Sequence, residues 1–163
     1  MTISRTTRPI GWGRRIAAFL AALLLATAWG SVVQTQFNLQ ALAALDVDIP
    51  LQVRGLTTLQ DLVGFGPAYA GIVLAAWLPA FVVAALLVRA WPQARVPLYA
   101  LAAGVGLIAA VRVVDAVAPM PVLIDATRGL SGLLAMAVGS LLAGAAFAWW
   151  TRARRSRYRS PQD

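Results

Sequence analysis

The chain has no histidine, cysteine, lysine or glutamate: all 14 basic residues are arginine and all 6 acidic residues are aspartate. Each absence removes a class of chemistry. Without cysteine there is no disulfide framework and no thiol redox couple. Without lysine no Schiff base forms, and haem lacks its histidine or thiolate axial ligands. Zinc and non-haem iron sites need ligands of the same types. A Ser-His-Asp relay is impossible, and the side chain best suited to act as a base near neutral pH is missing. The sequence therefore nominates no catalytic residue, no metal site and no cofactor.

Charge is scarce too, at 12% of residues against 60% hydrophobic, and the mean hydropathy is +0.74. Soluble globular domains do not have this composition. Four apolar runs, 16–33, 66–88, 98–117 and 128–150, approach or exceed the ~20 residues that cross a ~30 Å hydrocarbon core. The expected fold is an all-α integral membrane protein, four transmembrane helices in an antiparallel bundle. A basic N-terminus (1–15), a long periplasmic loop (34–65), a cytoplasmic link (89–97), a periplasmic turn (118–127) and an arginine-rich tail (151–163) complete the layout.

Residues 1–33 allow two readings. A basic start, an apolar stretch and Ala26-Thr27-Ala28 loosely fit a cleaved signal peptide, and Arg14-Arg15 resemble a twin-arginine signal. Apolar character runs on past Ala28 through Trp29 to Val33, which favours a retained first span. In the second span, Pro79 should kink the helix.

The 34–65 loop is ambiguous in another way. Gln34, Gln36, Asn38 and Gln40 alternate with their neighbours, as do Val47, Ile49, Leu51 and Val53, which is the period of strands. Against a hairpin, Leu39–Leu45 is rich in helix formers. The preferred reading is a short helix over 38–45, an extended piece over 47–54 and a second short helix over 57–64. The last would carry Leu59, Leu62 and Val63 on one face and lie in the membrane interface.

Arginine sets the orientation. Eleven of the 14 arginines fall in the two termini and the 89–97 link, leaving Arg54, Arg112 and Arg128 on the other side with five aspartates. By the positive-inside rule both termini are cytoplasmic. Arginine without lysine, together with abundant alanine, suggests a GC-rich bacterial genome and hence the inner membrane. The same distribution argues against nucleic acid as a partner, since the charge flanks spans rather than forming a basic face. The tail is expected to meet anionic lipids at the cytoplasmic surface.

Two groups of residues are candidates for function. Arg112 and Asp115 are three apart and can pair on one helix face. Arg112 lies about 21 Å along its helix, close enough to the outer edge to snorkel. Asp125 and Arg128 repeat the spacing in reverse across the turn, so four charges can gather at the periplasmic ends of the third and fourth spans. With Gln34 and Gln36 they form either a structural latch or a ligand- or partner-binding pocket. The second group is the small-residue ladder Ser131, Ala135, Gly139 and Ala143, one of four such ladders that let helices approach closely. It serves bundle packing or faces a membrane-protein partner or second copy. The leading functional expectation is a non-enzymatic accessory or scaffold subunit. A small carrier or lipid-handling protein is second, and a membrane enzyme using Asp115 or Asp125 is third.

Overall fold

The computed structural model describes residues 11–117 and 124–152, which are helical almost throughout, with no strand among them. In chain order the helices are α1 (Trp12–Ala43), α2 (Leu51–Gly64), α3 (Gly66–Ala90), α4 (Arg95–Val117) and α5 (Leu130–Trp150). Short 3-10 turns occupy Pro92–Ala94 and Asp125–Arg128. Helices α1, α3, α4 with its leading turn, and α5 are long and apolar enough to cross a membrane.

The largest departure from expectation is α1. It runs for 32 residues instead of ending at Val33 and absorbs most of the short helix expected over 38–45. No glycine or proline interrupts 31–49, and Leu39–Ala43 are strong helix formers, so nothing stops the helix once it has begun. It ends where Asp46 takes a left-handed backbone, φ 59°. Only 47–50 is left without regular structure, and Pro50 (φ −58°, ψ 150°) leads directly into α2. The extended piece thus shrinks to four residues, while α2 starts six residues earlier than expected. Helix α3 runs unbroken through Pro79, which sits on an exposed face.

Helix α1 packs on α3 and α5, and α4 packs on the same two, giving a ring in the spatial order α1–α3–α4–α5. Neighbours are antiparallel. Arg14, early in α1, reaches the carbonyl of Trp150 at the end of α5 (3.3 Å), while Trp29 donates to the carbonyl of Ala135 (2.8 Å).

Two kinds of contact hold the ring. The first is close approach at small residues. A Cβ on Gly139 would overlap the Trp29 ring, one on Gly30 would overlap the Tyr69 ring, and one on Gly144 would come within 2.6 Å of the Tyr99 carbonyl oxygen. Of the expected fourth-span ladder, Ala135 and Gly139 meet Trp29 of α1, Ala143 is fully buried and Ser131 is exposed. The second is a buried hydrogen-bond chain across the centre. Trp77 Nε1 of α3 donates to Ser140 Oγ of α5 (2.9 Å), which donates to the Ala103 carbonyl of α4 (2.8 Å). Beside it, Phe19, Trp77, Phe81, Tyr99 and Phe147 form an aromatic cluster with ring centroids 4.9–6.1 Å apart.

The described arginines sort by end. Arg14, Arg15, Arg89, Arg95 and Arg152 lie where α1 begins and α5 finishes, here termed the basic end. Arg54, Arg112 and Arg128 lie at the opposite, loop end. Arg95 Nε donates to the Ala148 carbonyl (3.4 Å) and its Nη2 to Thr151 Oγ1 (2.7 Å). Together with Arg14, it places positive charge on the unpaired carbonyls of the α5 C-terminus, where the helix dipole favours a cation.

Two substitutions separate the two contacts. Gly144→Val should destabilise the bundle by more than about 2 kcal/mol, because backbone stands where its side chain must go. Ser140→Ala should cost only about 1 kcal/mol, the usual scale of an interhelical hydrogen bond in a membrane. Equilibrium unfolding in mixed micelles measures both.

Candidate functional site at the loop end

Beyond Val33, α1 carries a polar stripe inward rather than outward. Thr27, Ser31, Gln34, Thr35 and Asn38 recur at three- and four-residue spacing, which places them on one helix face, and the first four are buried. This stripe receives both loop-end segments of the chain.

Gln34 holds the first. Its Oε1 accepts a hydrogen bond from the Ala126 backbone N–H (2.9 Å), which fixes the 3-10 turn ahead of α5 against α1. Thr127 Oγ1 closes that turn on the Ile124 carbonyl (2.7 Å). Gly132 then packs so tightly on the Ala126 carbonyl that no side chain fits there.

Gln36 and Thr35 hold the second segment, α2. Gln36 Oε1 accepts from Arg54 Nη1 (3.1 Å) and its Nε2 donates to Thr58 Oγ1 (3.2 Å). Thr35 Oγ1 lies 2.7 Å from Asp61 Oδ2 and 2.9 Å from the Ser31 carbonyl. Its single proton goes to the carboxylate, the stronger acceptor. Thr58 donates to the Arg54 carbonyl one turn back (2.8 Å).

These bonds fix the rotation of α2. Arg54, Thr58 and Asp61 face α1, so Leu56, Leu59 and Val63, at the i, i+3, i+7 positions, point away from it. They are exposed, as are Leu51 and Val53, and α2 has no buried residue at all. The amphipathic helix is mounted with its polar side in and its apolar side out, with Leu62 partly buried rather than on the outer face.

Of the expected four-charge cluster, Arg112, Asp115 and Arg128 lie among the residues whose side chains are described. Arg112 is exposed on α4. Asp115, one turn on, is half-buried, and its Oδ1 is enclosed without a hydrogen-bond partner among the described residues. The two side chains form no ion pair with each other. Arg128 ends the 3-10 turn that Asp125 opens, and the Asp125 side chain lies outside the described residues, as do the turn residues 118–123. Gln34 and Gln36 sit on α1, one seating the turn and the other seating α2.

The residues that organise this end and were not singled out from sequence are Thr35, Arg54, Thr58 and Asp61. Their signal was the helical spacing of polar residues continuing the first span beyond Val33. Four further oxygens in this half of the bundle, Thr27 Oγ1, Ser31 Oγ, Asn38 Oδ1 and Tyr69 OH, are also enclosed without partners among the described residues. No group of three or more potential metal ligands occurs among the described residues. No family model, curated protein or solved structure matches the chain.

Gln34→Leu removes the acceptor for the Ala126 amide while keeping the side chain's bulk. Exchange of that amide with solvent deuterium should accelerate about fivefold to tenfold, the scale of one net hydrogen bond. Amides in the middle of α5 should be unaffected.

Proposed function

We propose that this is a non-enzymatic accessory protein of the bacterial inner membrane, with both termini in the cytoplasm, that holds a membrane-protein partner through its α1–α2 hairpin on the periplasmic side. The observation that carries the reading is the reversed mounting of α2. Three side-chain hydrogen bonds turn its polar face onto α1 and leave Leu56, Leu59 and Val63 uncovered.

At the tip of the hairpin, length supports a protein rather than lipid as the cover. If α1 enters the hydrocarbon at Ile16, a ~30 Å core is used up near Thr35 at 1.5 Å per residue. The headgroup layer adds only about 5–7 Å. Leu45, Val47 and Leu51, all exposed around the tip of the hairpin, therefore stand beyond what the bilayer covers. Apolar surface outside lipid is the usual mark of an interaction site. The arginine count, with the same sorting by end in the fold, supports the orientation.

A second reading, a small carrier or lipid-handling protein, draws support from the enclosed oxygens of Thr27, Ser31, Tyr69 and Asp115, which a polar ligand would satisfy.

Leu56→Gln with Leu59→Gln should lower recovery of a stoichiometric partner from mild detergent at least tenfold, since each buried leucine contributes about 1.5–3 kcal/mol. Thermal unfolding of the isolated chain should not change, because neither side chain packs on it. Equal recovery from variant and wild type would rule out the hairpin as the docking surface. Orientation is tested separately, and the cysteine-free chain suits the assay. A single Val47→Cys should react with a membrane-impermeant maleimide from the periplasm of intact cells, and Gln162→Cys should not.

A further inference from the structure

At the basic end the four spanning helices splay to leave a cavity of about 520 Å³. Arg15 of α1, Arg89 of α3 and Arg95 of α4 line it, over a floor that includes Phe19, Tyr99 and Phe147. All four spanning helices contribute to its lining. Its floor is one face of the buried aromatic cluster.

The charge of this cavity is unbalanced. Arg95 is committed to Thr151 and the end of α5 and stacks on the Tyr99 ring at 5.0 Å. Arg15 rests over Trp12 at 5.7 Å, and Arg89 is exposed. Neither Arg15 nor Arg89 has a hydrogen bond or an ion pair among the described residues. Among the described residues no carboxylate lines the cavity, because the described aspartates all lie at the loop end. Three guanidiniums line one concave, partly apolar space with no carboxylate among the described residues to meet them.

We propose that this cavity binds the phosphate headgroup of an anionic phospholipid. The phosphate sits between Arg15, Arg89 and Arg95, and the upper part of an acyl chain rests on the Phe19–Phe147 floor. Guanidinium forks match phosphate oxygens geometrically. The aromatic floor has no use for a fully hydrated ion but suits the glycerol and first methylenes of a lipid. A free phosphate ester shares the headgroup chemistry and lacks the chain. The site is at the opposite end from the hairpin and does not depend on the accessory-protein reading.

The test is native mass spectrometry of the full chain released from mixed micelles of phosphatidylglycerol and phosphatidylcholine. A single phosphatidylglycerol should be retained in preference to phosphatidylcholine. Arg15→Gln and Arg89→Gln should each weaken retention about fivefold, the effect of one arginine near an anionic headgroup. Ala85→Trp, which fills the cavity wall without altering charge, should abolish retention while thermal unfolding shows the fold intact. If Ala85→Trp retains lipid normally while the arginine variants do not, attraction is diffuse and the cavity is not the site. If glycerol phosphate displaces the lipid at equal concentration, the site recognises a soluble phosphate ester and the lipid assignment falls. Loss of folding in Ala85→Trp would be replaced by Ala85→Leu, read the same way.

Discussion

The hydrogen bond from Trp77 to Ser140, continued from Ser140 to the Ala103 carbonyl, joins three helices at the middle of the bundle. Lipid gives helices no hydrophobic reason to associate, since the tails are as apolar as the side chains. What remains is packing and the need to satisfy polar groups that have no water to turn to. The indole N–H lies fully buried, so its partner must come from across the bundle, and reaching Ser140 brings α3 and α5 together diagonally. The glycines then decide how near the other pairs can come. Gly144 lets α5 sit against the α4 backbone, Gly139 accepts the Trp29 indole, and Gly30 accepts Tyr69.

The two ends of the bundle are built on opposite principles. At the loop end, polar side chains are consumed internally, so that Gln34, Thr35 and Gln36 hold the neighbouring segments and an apolar surface is left outside. At the basic end, apolar and aromatic residues are consumed internally and arginines are left at the rim. A chain with so few charges has placed all of its described acids at one end and most of its described bases at the other.

The spans were readable because their signal is thermodynamic and local: about 20 apolar residues in a row have one stable home. Of the small-residue ladder, Gly139 and Ala143 are buried, Ala135 is partly buried and Ser131 is exposed. The polar junction was harder to see. The alternation of Gln34, Gln36, Asn38 and Gln40 looks like a strand when taken alone. It becomes a helical stripe only once Thr27, Ser31 and Thr35 are counted with it, and that requires the first span to continue past its apolar limit. The inward turn of α2 was not legible because its amphipathy fixes which residues share a face but not which face meets α1. The side-chain bonds of Arg54, Thr58 and Asp61 decide that, and they are contacts between segments. The cavity at the basic end was invisible for a related reason. Its arginines belong to three helices, and each taken singly reads as a topology marker.

The ring also sets the order of biogenesis. Helix α1 emerges well before α5, yet α5 is one of its two spanning neighbours. The seat for Trp29 at Gly139 and the acceptor for Arg14 at Trp150 are more than 100 residues away along the chain. Until α5 has been made, that flank of α1 faces lipid or the insertion machinery with its indole unseated. Closure of the bundle is therefore post-insertional, and the seam between first and last helices is the one that a ribosome stalled ahead of residue 130 leaves open.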